Sequence, residues 1–124
     1  MTLFDAVSTM HQHFGLEPVD DPPPHDFALF RSSAMAEEVV EFQRAVLKDD
    51  RVGQLDALVD LVVFALGTAH LLGFSESAYT EAFHRVMLAN LEKQVAGHAD
   101  HKRGWKLDLV KPAGWTSPNL SDLV

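Results

Sequence analysis

The chain predicts an all-α fold. Apolar residues recur at three- and four-residue spacing through four separate stretches, no segment alternates with period two, and the proline and glycine punctuation falls between those stretches. Residues 3–14 form the first helix, with Leu3, Val7, Met10 and Phe14 on one stripe, Thr2 as N-cap and Gly15 as the stop. An extended connector follows, because Pro22, Pro23 and Pro24 lack amide donors and crowd the preceding turn. The second helix covers residues 27–48, with Phe27, Phe30, Ala34, Val39, Phe42 and Val46 as apolar contacts and Asp49 and Asp50 at its end. The third, 52–72, is apolar almost all the way round and closes at Gly73. Ser75 caps the fourth, in which Ala78, Tyr79, Ala82, Phe83, Val86 and Met87 recur until Gly97. The tail beyond it, including Trp105 and Trp115, has no sustained period and reads as an ordered, irregular arm.

A length of 124 residues fits one domain spanning 1–124, arranged as a four-helix bundle. The third helix needs neighbours on every side, and three partner helices of this length barely supply them, so a homodimer is expected. The chain has no cysteine, which excludes disulfides, thiolate metal sites and cysteine nucleophiles. Its first residues lack the basic and apolar regions of a secretory signal, and a cytoplasmic protein is expected. The segment from Leu55 to Leu72 approaches membrane-spanning length but carries Asp56 and Asp60, so it reads as a buried helix of a protein without a membrane partner. The net charge of −8 lies wholly in the first half: residues 1–60 hold twelve acids against four bases, the remainder six of each. A nucleic-acid polymer would be repelled by that half, and the cations gather late, at Lys93, Lys102, Arg103, Lys106 and Lys111.

The acids are not scattered. Taking Glu37 as origin, Glu41 and Glu38 stand about 40° and 100° around the second helix, so all three share one arc at a cost in mutual repulsion that a bound cation reverses. A solvated acidic face would explain this motif alone. On the third helix, however, Asp60 is the one polar residue between Ala57 and Leu66, where a charge must be paired, protonated or metal-bound, and Asp56 lies one turn earlier. A buried bridge from Asp60 to Arg31 or Arg44 is the structural alternative. Three Glu and two Asp on facing helices make an all-oxygen donor set of the kind that suits magnesium or manganese. Glu81-x-x-His84 is half of a di-iron signature without its second copy, and the other six histidines show no ligand spacing.

The run Ala36-Glu37-Glu38-Val39-Val40-Glu41, followed by Asp56-Ala57-Leu58-Val59-Asp60, resembles the MazG-like all-α NTP pyrophosphatase superfamily, whose pattern is Glu-Glu-x-x-Glu and then Glu-x-x-Asp. His13-Phe14-Gly15, Arg31, Asn90-x-x-Lys93 and Lys111-Pro112-x-Gly114-Trp115 are similar to its small (d)NTP and dUTP pyrophosphohydrolase branch. The resemblance implies a magnesium-dependent dimer that cleaves between the α and β phosphates of a nucleoside triphosphate. It implies Glu38, Glu41 and Asp60 as metal ligands, Glu37 as the group that positions or deprotonates the attacking water, and Asn90, Lys93 and Lys111 at phosphates or sugar. Arg31 either reaches a phosphate or neutralises the glutamates, and Trp115 either stacks on a base or packs beneath the tail. The family glutamate three residues before Asp60 falls on Ala57 here, and Asp56 is the candidate to replace it. Two other readings stand beside this one: a phosphoribosyl-ATP pyrophosphohydrolase, and an inactive helical nucleotide-binding or dimerisation module.

Overall fold

Thr2 starts the first helix as the sequence predicts. In the structure, a computed structural model that describes residues 1–19, 24–97, 105 and 107–124, helix α1 spans Leu3–His13. The Thr2 hydroxyl accepts from the Asp5 amide at 3.0 Å, and the Thr2 amide donates back to Asp5 Oδ2 at 3.1 Å, a reciprocal cap. The same hydroxyl donates to Glu76 Oε1 at 2.6 Å. At the other end the Leu16 amide returns to the His11 carbonyl at 2.8 Å and the Gly15 amide to Gln12 at 3.1 Å, a turn that requires the left-handed backbone Gly15 supplies.

Helix α2 spans His25–Leu47 and helix α3 spans Arg51–Leu71, longer than the predicted second helix at its start and otherwise within a residue of expectation. A tight turn joins them. Asp49 takes a positive φ of 54°, and Asp50 caps α3 by accepting from the Gly53 amide at 2.9 Å. The result is an antiparallel hairpin, and α1 lies along α3 to complete a three-helix unit, Met1–Glu76. Phe4, Val7 and His11 from α1, Arg31 and Ala45 from α2, and Ala57, Leu66, Gly67, Ala69 and Leu71 from α3 are buried. By length and composition α3 is apolar enough to cross a membrane. Its small residues are spent instead on the seams with α1 and α2, while Leu55, Leu58, Val59 and Val62 remain exposed.

A second unit, Ser77–Val124, contains most of helix α4, Glu76–Leu91. The predicted fourth helix is too long: after Leu91 the chain enters a short strand β1, Gln94–Val95, which pairs antiparallel with β2, Leu109–Val110, opposite the expectation of a strandless arm. Two residue pairs give no readable period, which is why the alternation test missed them. A 3₁₀ turn, Ser121–Leu123, ends the unit, held to α4 by Arg85, whose guanidinium bonds both carboxylate oxygens of Asp122, at 2.6 and 3.0 Å, and Glu81 at 2.8 Å. The late cations Lys102, Arg103 and Lys106 and most of the proline connector lie outside the described residues.

Gly67 is a point of close approach for side chains of α1 and α2 on α3. A methyl group there would sit 2.7 Å from Arg31 Nη2 and 3.1 Å from His11 Cε1. Gly67→Ala is expected to destabilise the protein by about 1–3 kcal/mol through overpacking, measured by urea denaturation; an unchanged midpoint would mean that Arg31 moves aside freely.

Candidate metal and phosphate site

The hairpin turn decides which residues of α2 face which of α3. Ala45 lies beside Gly53 and Arg31 beside Gly67. In an antiparallel hairpin that register sets Glu38 opposite Asp60 and Glu41 opposite Ala57. Glu38 and Asp60 are half-buried at the seam, whereas Glu37, Glu41 and Asp56 are exposed.

Glu38 is the focus of this group. Its carboxyl is held above the usual carboxylate range, first by burial, then by the charge of Glu41, the charge of Asp60, a carboxyl contact with Glu41 and, least, the charge of Asp56. Its Oε2 is shielded from solvent and accepts no hydrogen bond. Four of the five acids singled out in the sequence therefore share one electrostatic neighbourhood. The fifth, Glu37, lines an open cleft of about 440 Å³ with Ala36, Val40, Glu41 and Arg44, so Glu41 borders both.

A hard divalent cation fits this donor set by charge and atom type, and the unpartnered buried oxygen of Glu38 is the atom it would satisfy. Among the described residues no three acidic or imidazole groups already converge on one coordination point, so holding an ion requires side-chain rotation. Ala57, only 2% exposed, leaves Glu41 without the acidic neighbour that the Glu-x-x-Asp pattern would place there. Asp56 adds to the field at Glu38 but from the solvent side of α3.

Arg31 is turned into the three-helix core, two turns before Glu38. Its Nε donates to Thr68 Oγ1 at 3.0 Å, its Nη2 to the Phe64 carbonyl at 3.2 Å, and its guanidinium lies 5.0 Å from the Phe64 ring centroid. Among the described residues no ion pair joins Arg31 or Arg44 to an acid, so the buried bridge to Asp60 does not form. Glu81 is engaged with Arg85, and His84 is exposed, which accounts for the half di-iron signature without a metal.

The remaining candidates belong to the second unit. The β1–β2 register pairs Gln94 with Val110, which makes Lys93 and Lys111 the next residues facing each other. Their ammonium groups stand 5.0 and 4.9 Å from the centroid of Trp115, whose Nε1 donates to the Ala89 carbonyl at 2.8 Å. Trp115 thus carries two cations on a ring anchored to the end of α4. Asn90, half-buried, follows Ala89 directly.

Sequence reasoning passed over His11 and His70, whose Nδ1 atoms meet at 2.8 Å in the core. The available signal was position: His11 continues the buried stripe of Phe4 and Val7, where an apolar residue belongs.

Because Glu38 has a raised folded-state pKa, its charged form opposes folding: the opposition is absent below the unfolded value of 4.5 and grows as pH rises through the folded value. Glu38→Gln is therefore expected to raise the melting temperature in metal-free buffer at neutral pH, with the gain vanishing toward pH 4. A Gln variant less stable than wild type at pH 7 would show that the carboxylate is not under electrostatic stress.

No curated protein sequence matches this chain. A family model does: the phosphoribosyl-ATP pyrophosphohydrolase model matches residues 7–95, from the middle of α1 through β1 and across Glu37, Glu38, Glu41, Asp56 and Asp60. The chain belongs to the phosphoribosyl-ATP pyrophosphohydrolase family, a branch of the MazG-like all-α NTP pyrophosphatase superfamily.

Proposed function

We propose that the chain is a magnesium-dependent pyrophosphohydrolase of nucleoside triphosphates, ribo- or deoxyribo-, releasing a nucleoside monophosphate and pyrophosphate. The observation that carries this reading is the half-buried Glu38 carboxylate, crowded by Glu41 and Asp60 and left with an unpartnered oxygen. A structural role gives no reason for that arrangement, since it costs stability at neutral pH.

In this reading Glu38, Glu41, Asp60 and Asp56 hold the cation. These residues would hold magnesium or manganese, which would supply neutralisation of phosphate charge and activation of water. Glu37, exposed beside Glu41 at the open cleft, accepts a proton from the attacking water as its oxygen bonds to phosphorus and the α–β anhydride bond breaks. Lys93 and Lys111 offer positive charge to phosphate oxygens, and Asn90 an amide to phosphate or sugar. Trp115 serves as their platform, since its ring already carries both ammonium groups. Arg31 acts from the core, through the packing of α1 and α3, rather than on a phosphate.

A homodimer belongs to the same proposal. An apolar groove of about 360 Å³ between α1 and α3, lined by Leu3, Ala6, Val7, Leu58, Val59 and Val62 among others, is the surface we assign to a second copy of the chain.

The matched family favours a second substrate, phosphoribosyl-ATP, which carries the same α–β linkage. One assay separates the readings: product analysis with magnesium over ribo- and deoxyribonucleoside triphosphates and phosphoribosyl-ATP. Pyrophosphate with a monophosphate from the triphosphates supports the proposal, turnover of phosphoribosyl-ATP alone transfers it to that substrate, and nucleotide binding without turnover indicates an inactive module.

Asp60→Asn is expected to remove activity without loss of helicity by circular dichroism. Glu37→Gln should reduce kcat by about 100-fold or more while leaving the magnesium dependence near wild type; a parallel loss of magnesium affinity would make Glu37 a ligand instead. Asp56→Ala should raise the magnesium concentration for half-maximal rate by about tenfold, and Ala57→Glu added to it should recover much of that loss. Wild-type behaviour of Asp56→Ala across a magnesium titration would leave Asp56 a solvated helix residue.

A further inference from the structure

The contact between His11 and His70 is used by none of the chemistry above. His11 is 2% exposed, its Nδ1 stands 2.8 Å from Nδ1 of His70, and the ring centroids are 5.0 Å apart. Two imidazole nitrogens at that distance share one proton: one ring donates and the other must be bare at Nδ1 to accept. The pair can take up a further proton on an outer nitrogen and keep this bond. It cannot take up two, because both Nδ1 atoms would then carry hydrogen and face each other.

Nothing nearby welcomes even the first charge. From α2 the Arg31 guanidinium approaches the same point: Arg31 Nη2 and His11 Nε2 both lie within 3.2 Å of the position where a Gly67 methyl would stand. From α3 the only titratable group facing His11 is His70 itself, whose other neighbour is the edge of Phe4 at 6.1 Å between centroids. Among the described residues no carboxylate is paired with either ring or with Arg31. Burial, then the charges of His70 and Arg31, hold His11 below the ordinary imidazole value of 6.5.

We propose that the His11–His70 contact is an acid-released clasp: protonation of both rings breaks the Nδ1–Nδ1 hydrogen bond, sets three positive charges together around Gly67, and unseats α1 from α3. Beyond His11, the buried residues of α1 are Phe4 and Val7, and the Thr2 hydroxyl bond to Glu76 ties its start. Release opens the apolar groove that α1 and α3 line together, through the loss of Leu3, Ala6 and Val7 from one wall. The sign follows from the depressed folded-state value: the unfolded chain binds the proton first. The clasp therefore contributes fully above about pH 6.5 and is lost as pH falls below it.

Hydrogen exchange of the full chain, corrected for intrinsic rates, tests this between about pH 7.5 and 5. Amide protection in α1 should fall at least about tenfold more than in α2 over that range in wild type, and by less than about threefold in His70→Gln, which retains a polar partner for His11 but does not titrate. Should His70→Gln fail to fold, proton NMR of the wild type decides: protonation of His11, below the ordinary imidazole value, should coincide with loss of α1 protection. Protection in α1 that does not depend on pH, a pH dependence that survives in His70→Gln, or a His11 ring that protonates at the ordinary imidazole value would each overturn the proposal. Because the readout is exchange and not turnover, it stands or falls separately from the assignment of substrate.

Discussion

The register of the α2–α3 hairpin is the constraint on which the three-helix unit depends. A three-residue turn, Lys48 to Asp50, with Asp49 in the left-handed region and Asp50 capping the next helix, locks the two helices in one alignment. That alignment places Glu38 against Asp60, and at the other end it brings Arg31 over Gly67. A slip of one residue would carry the charged positions around the helix by about 100° and separate both pairs. The acidic cluster and the Arg31–Gly67 contact are consequences of the same turn, roughly 10 Å apart along α2.

The two places carry opposite charge, and among the described residues neither is neutralised by an ion pair. Glu38 is surrounded by acids, Arg31 by neutral oxygens and imidazoles. Arg31 tolerates this because its guanidinium remains charged while delocalised over a plane, with Thr68 and the Phe64 carbonyl accepting and the Phe64 ring beneath it. Glu38 has no such relief, and the stress at its carboxyl is what gives the cluster its chemical meaning.

The four helices and the acidic constellation were legible in the sequence because both rest on short-range periodicity: Thr2, Gly15 and Gly73 act where they stand, and Glu37, Glu38 and Glu41 share an arc by rotation alone. What escaped was long-range. Arg31 and His11 meet only because Gly67, distant in sequence from both, leaves room. The β1–β2 pairing joins residues about fifteen apart in sequence that no local pattern links, and the approach of Lys93 and Lys111 to the Trp115 ring rests on that pairing. The end of α4 was misplaced for the same reason: Gly97 marks a turn after β1, not the helix terminus.

The fixed indole has one more consequence. Trp115 is tied to a backbone carbonyl at one edge and flanked by two ammonium groups, so its excited state sits in a local field set largely by those lysines. Anything that neutralises or displaces them shifts that field. The C-terminal arm therefore contains its own optical probe, and once Trp105 is replaced by phenylalanine, the emission of the remaining tryptophan reports on the arm without an added label.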